Sequence, residues 1–106
     1  MMAWLYLGLA IVSEVIGTLA LKASDGMSKL APSIIVVIGY LTAFFLMSQT
    51  LKTIPVGVTY AVWSGLGIVG ATLGAYFLFD QALSQQALIG MLIIIVGVIV
   101  LNLNQA

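Results

Sequence analysis

Four apolar runs, residues 3–21, 30–51, 53–79 and 81–103, occupy nearly the whole chain and dictate its solvent before they dictate its fold. Each reaches the roughly 20 residues that a helix needs to cross about 30 Å of hydrocarbon. Lipid offers no water to the backbone, so N–H and C=O groups must be satisfied within the chain, which favours helices for such runs. With 106 residues, 63% of them hydrophobic and 6% charged, the chain also lacks the polar surface that a small water-soluble domain requires. The expectation is an all-α membrane protein with four transmembrane helices, at about 3–21, 31–51, 57–79 and 86–103, in a single domain over residues 1–106.

The charged side chains are Glu14, Lys22, Asp25, Lys29, Lys52 and Asp80, with no Arg or His. Five of them separate the apolar runs, and Glu14 alone lies inside one. The first run has no basic start, holds an acid at its middle and lacks a clear cleavage site, so it reads as a span and not as a removable signal peptide. Zero cysteines exclude disulfides and Cys-ligated metal, the lack of His removes the usual zinc motifs, and zero net charge gives no reason to expect nucleic acid. No phosphate-binding loop is present, so no cofactor is implied.

Short connections make neighbouring helices antiparallel and place both termini on one side of the membrane. Ser24-Asp25-Gly26 is a turn sequence, and Pro32 suits the first turn of the second helix. Residues 52–57 break the second helix from the third, residues 80–86 the third from the fourth, and Ser84 suits a helix cap. Orientation follows the Lys and Arg bias between alternate loops. Lys22 and Lys29 stand on one face, Lys52 and the amino terminus on the other, so the bias is near nil and insertion in both orientations is permitted.

A charge at mid-span costs at least about 2.5 kcal/mol, and no span holds a Lys, Arg or His to pair with Glu14. Its carboxyl must carry a proton, be hydrated in a cavity, or be neutralised by a cation from outside. A proton and a cationic ligand would then compete for one group; a protonated carboxyl serving only as interhelical glue is the structural alternative. Ala10, Ile11, Gly17 and Thr18 share its helical face at spacings of three and four. Small residues there either admit a neighbouring helix or leave room for a ligand, and Thr18 adds a hydroxyl donor.

On the third helix Tyr60, Trp63, Ser64 and Gly67 fall at i, i+3, i+4 and i+7, one stripe of two rings and a hydroxyl. Aromatic faces attract organic cations by about 0.5 to 2 kcal/mol each, although such a stripe also suits packing or lipid contact. Tyr40, Phe44 and Met47 form a comparable stripe on the second helix, and Trp4 and Tyr6 read as an interfacial belt. Gly70 and Gly74 stand in a G-x-x-x-G relation that permits close helix approach, while Gly65 and Gly67 mark a bend and a hinge candidate. The fourth helix has no charge; Gly90 and Gly97, seven residues apart on one face, read as a helix-to-helix seam and point to a dimer.

Three segments carry a resemblance: Ala10-Ile11-Val12-Ser13-Glu14-Val15-Ile16-Gly17-Thr18; Pro55-Val56-Gly57-Val58-Thr59-Tyr60-Ala61-Val62-Trp63-Ser64-Gly65-Leu66-Gly67; and Gly90-Met91-Leu92-Ile93 with Gly97. Over essentially its full length the chain resembles the small multidrug resistance family. The resemblance implies a proton-coupled antiporter, not an enzyme, that expels toxic cations as an antiparallel homodimer of dual-topology subunits in the inner (plasma) membrane of a bacterium. It implies that Glu14 is the shared proton and substrate site, that Tyr60 and Trp63 line the pocket, that Gly65 and Gly67 bend the third helix, and that Gly90 and Gly97 mark the dimer seam. The family's guanidinium exporters typically carry Trp three residues after the membrane Glu and a Ser bonded to that Glu. Here Gly17 and Ala43 stand at those positions and Tyr40 matches the multidrug branch, so quaternary ammonium and other lipophilic cations are favoured. Some multidrug members also have Ser where this chain has Ala43. A proton-conducting channel, a rotor proteolipid or a membrane scaffold are the readings from other classes.

Overall fold

The computed structural model describes residues 2–103, which form four helices: α1 (Met2–Ala23), α2 (Leu30–Thr50), α3 (Val56–Phe79) and α4 (Gln85–Leu103). The all-helical, four-helix expectation holds. By length and composition α1, α2 and α3 are apolar enough to cross a membrane.

The breaks follow local chemistry. After α1 the backbone turns through Asp25, Gly26 and Met27, all at positive φ, and buried Ser24 holds the turn. Its hydroxyl donates to Leu21 O at 2.7 Å and accepts from Met27 N at 2.9 Å. Its carbonyl accepts from the backbone N–H groups of Ser28 and Lys29. Pro32 lies in the first turn of α2, where a missing N–H costs nothing. Pro55 precedes α3 directly. Asp80 ends α3 in the left-handed region, φ 55°, which Asp tolerates better than most residues. Ser84 caps α4 as expected, its hydroxyl accepting from Ala87 N at 3.0 Å.

In space the helices run α2, α1, α3, α4, because α1 packs on both α2 and α3 while α4 packs mainly on α3. The result is a slab with extents of 43 × 34 × 17 Å. Its small core joins Leu7, Ala10 and Ile11 of α1, Ala43 of α2, Val62 and Trp63 of α3 and Val98 of α4. Large apolar side chains such as Ile38, Phe45, Phe77 and Ile93 are exposed, an arrangement suited to lipid and not to water.

Two glycines set the α1/α2 crossing. A Cβ on Gly39 would lie 3.0 Å from Ser13 O and 3.1 Å from Gly17 Cα, so the two backbones touch where neither residue has a side chain. Gly39→Ala should therefore force the helices apart. The expected loss is about 1–3 kcal/mol, visible as a lower thermal midpoint in detergent. Gly8→Ala, whose Cβ meets nothing within 4 Å, should leave the midpoint unchanged or raise it.

Candidate functional site

Glu14 lies half-buried on α1 where α3 passes. The seam is close because α3 presents glycines to α1: Cβ atoms on Gly67, Gly70 and Gly74 would lie 3.0 Å from Glu14 Oε2, 3.0 Å from Val15 Cγ2 and 2.5 Å from Leu19 Cδ1. The G-x-x-x-G pair thus acts within the chain, between α3 and α1. Gly67, one turn earlier, extends the same bare track to the carboxyl.

The other carboxyl oxygen is held by hydroxyls. Thr18, one turn after Glu14, donates its Oγ1 hydrogen to Glu14 Oε1 at 2.8 Å, and the same Thr18 Oγ1 lies 2.5 Å from the Tyr40 phenol of α2. Tyr40 reaches across α1 because Gly17 leaves the space free, a Cβ there coming within 3.2 Å of the Tyr40 ring. The Tyr40 ring stacks on Phe44 with centroids 6.3 Å apart, and Phe44 stacks on Trp63 at 5.8 Å. An aromatic ladder therefore leads from the hydroxyls of α1 and α2 back to α3.

A cleft of about 360 Å³ opens beside the carboxyl, lined by Glu14, Thr18, Tyr60, Trp63, Ser64, Gly67, Ile68 and Ala71. Trp63 is 9% exposed and Tyr60 65%, so one ring forms a fixed wall and the other stands at the rim. An adjoining hollow of about 300 Å³, lined among others by Thr18, Lys22, Ala71, Thr72 and Gln81, continues along the α1/α3 seam toward the first and third loops. The arrangement can hold one organic cation, with a carboxyl for its charge and π-faces for its body.

Of the residues singled out in the sequence, Glu14, Thr18, Tyr60, Trp63 and Ser64 line the cleft. Tyr40 joins them through Thr18, and Phe44 stands behind Trp63. Ala10 and Ile11 do not line it; they are buried in the core, because spacing from Glu14 places them on the α1 face that also meets α2 and α3. Gly17 does not line the cleft; it packs against the Tyr40 ring. The α3 helix is uninterrupted through Gly65 and Gly67. Gly65 packs against Ile94 and Val98 of α4, and Gly67 against Glu14. Gly90 and Gly97 have nothing within 4 Å of an added Cβ. The sequence reading missed Gly39, Ile68 and Ala71; Ala71, four residues after Gly67, was visible as the next small residue on the stripe.

The family model for Small Multidrug Resistance protein matches residues 2–94. The chain is 56% identical over 103 residues to the quaternary ammonium compound-resistance protein QacE of Escherichia coli, covering 97% of this chain and 94% of that protein. It is 47% identical over 100 residues to the multidrug transporter EmrE of Escherichia coli (strain K12), covering 94% and 91%. It is 45% identical over 101 residues to the quaternary ammonium compound-resistance protein QacH of Staphylococcus saprophyticus, covering 95% and 94%. An intramembrane carboxyl beside an aromatic cleft thus occurs in a sequence matched along most of its length, and the chain belongs to the small multidrug resistance family, whose members are transporters and not enzymes.

Proposed function

We propose that the chain is a proton-coupled antiporter that exports lipophilic and quaternary ammonium cations, with Glu14 binding proton and cation in competition. The observation that carries this reading is the Glu14 carboxyl itself. One oxygen is held by the Thr18 hydroxyl, the other faces the bare Gly67 beside an aromatic cleft, and no Lys, Arg or His lines that cleft to neutralise it. A cation entering the cleft supplies the missing positive charge, and a proton does the same without it. Relatives named for resistance to quaternary ammonium compounds support this substrate class.

The guanidinium reading of the family has less support, because Gly17 packs on the Tyr40 ring and buried Ala43 offers no hydroxyl. A proton channel or rotor subunit has no need of a cleft sized for an organic cation.

Alternating access usually needs two inverted repeats around a midplane site, and four helices are too few to contain both. Two oppositely inserted copies supply them. The near-nil loop charge bias permits this, and the open Gly90 and Gly97 positions on α4 offer a seam. With 19 residues, α4 is about 28 Å long and completes the fourth span. External protons then displace the cation from the paired Glu14 sites, and inward exposure, bending α3 at Gly65 and Gly67, releases the protons and loads the next cation. The membrane is the inner membrane of a bacterium.

In proteoliposomes, Glu14→Gln should abolish uptake of a quaternary ammonium ion driven by a proton gradient; undiminished uptake would end the proposal. Trp63→Ala should weaken cation binding about two- to thirtyfold, the range of a cation–π contact of roughly 0.5 to 2 kcal/mol, as read by titration calorimetry. Gly97→Leu should shift the protein from dimer to monomer in sedimentation analysis with its helical content retained.

A further inference from the structure

We infer that the cleft continues into a second subsite at the loop end of the α1/α3 seam, where Lys22 and Gln81 bind an anionic group carried at the far end of an elongated organic cation. The inference rests on the cation-binding reading above and names a substrate class for it: dipolar molecules with a positive head at Glu14 and a negative tail at Lys22.

The two spaces are continuous. The cleft of about 360 Å³ and the hollow of about 300 Å³ share Thr18 and Ala71 in their walls. Thr18 stands one turn after Glu14, and Lys22 one turn after Thr18 in the last turn of α1, so the three follow one seam at spacings of four. Eight residues of helix set the carboxyl and the ammonium about 12 Å apart along the axis. On α3 the small side chains of Ala71 and Ala75 leave the hollow open, and Leu19 and Phe79 give it apolar walls, which suit the hydrocarbon or aromatic spacer of a long molecule.

The chemistry changes sign along this seam. The cleft has a carboxyl and no basic group in its walls. The hollow has the Lys22 ammonium, the Gln81 amide and the Thr72 hydroxyl, and neither Asp25 nor Asp80, the carboxylates of the first and third loops, lines it. An ammonium carries three donors and an amide two, so this end offers several N–H groups to a carboxylate or sulfonate. Gln81 is placed there by the backbone. The N–H groups of left-handed Asp80 and of Gln81 both donate to Ala75 O, the latter at 3.3 Å, which turns the third loop back over the end of α3. A cation that ends in a plain alkyl group leaves those donors to water, whereas one that ends in an anion engages them.

The test is titration calorimetry on the detergent-solubilised full chain with three probes. The first is a triphenylphosphonium with a carboxylate on a straight octyl arm, the second its counterpart ending in a methyl group, and the third a carboxyethyl analogue whose arm is too short to span the seam. Lys22 is exposed, and ion pairs at exposed groups bring a modest gain. Lys22→Met should therefore lower the affinity ratio of the long carboxylate to the alkyl probe by about two- to fivefold. Lys22→Arg should keep the wild-type ratio, and Lys22→Glu should lower it further. Added salt should narrow the ratio in the wild type and leave it unmoved in Lys22→Met. Both probes report on one protein sample, so a loss of folded material moves the two together and not their ratio. A ratio equal in the wild type and Lys22→Met, with the alkyl probe bound, overturns the second subsite alone. An equal loss for the short and long carboxylates assigns the effect to the general field of Lys22 and also overturns it. A wild type that binds none of the phosphonium probes overturns the cation-binding reading and the subsite together.

Discussion

The structure depends on a carboxyl kept among apolar helices by neutral groups. Thr18 donates to one oxygen of Glu14, and Gly67 leaves the other without a side chain pressed against it. A lysine or arginine in that position would form a buried ion pair, and breaking such a pair by removing one partner costs about 3–5 kcal/mol. A group so paired would resist exchanging its partner. Neutral hydroxyls would soften the penalty of an intramembrane charge without cancelling it, which is the physical ground of the proposed function.

The glycines of α3 divide this work by direction. Gly67, Gly70 and Gly74 face α1 and bring the carboxyl to the helix that carries Tyr60 and Trp63, whereas Gly65 faces the Ile94 and Val98 side chains of α4. Side chains at 67, 70 and 74 would push α3 away from α1 and widen the cleft. Across the molecule, Gly17 and Gly39 bring α2 equally near. Through that crossing Tyr40 reaches Thr18, and the stack of Tyr40, Phe44 and Trp63 returns to the cleft wall. The carboxyl, the two hydroxyls and the three rings form one chain of contacts from Glu14 to Trp63, and its two ends line the cleft.

Much of this was legible from residue type and spacing. Long apolar runs gave four helices, and the lone intramembrane acid and the i, i+3, i+4 stripe of Tyr60, Trp63 and Ser64 line one cleft. Spacing describes one helix at a time, and the errors came from that. Ala10 and Ile11 share the face of Glu14, but the same face must also bury itself against neighbouring helices, and those two residues are taken up by the core. Gly39 carries no local signal, since its importance lies in the Ser13 and Gly17 backbone that it meets more than twenty residues away. The Thr18 hydroxyl was visible, whereas its bond to Tyr40 depends on the crossing of two helices, which no periodicity encodes.

Much of α4 is left uncovered by the single chain, with Ile89, Ile93, Val96 and Val100 exposed. In lipid the hydrophobic effect does not drive helices together, and association depends on close van der Waals packing. A glycine in a helix costs about 1 kcal/mol relative to alanine, and at Gly90 and Gly97 an added Cβ would meet nothing within 4 Å among the described residues. The slab is 17 Å in its shortest dimension, and its cleft is bounded by α1 and α3 with an open side. A second copy that packed its fourth helix on these glycines would complete the seam, and one that crossed the open side of the cleft would bring a second Glu14 toward the first.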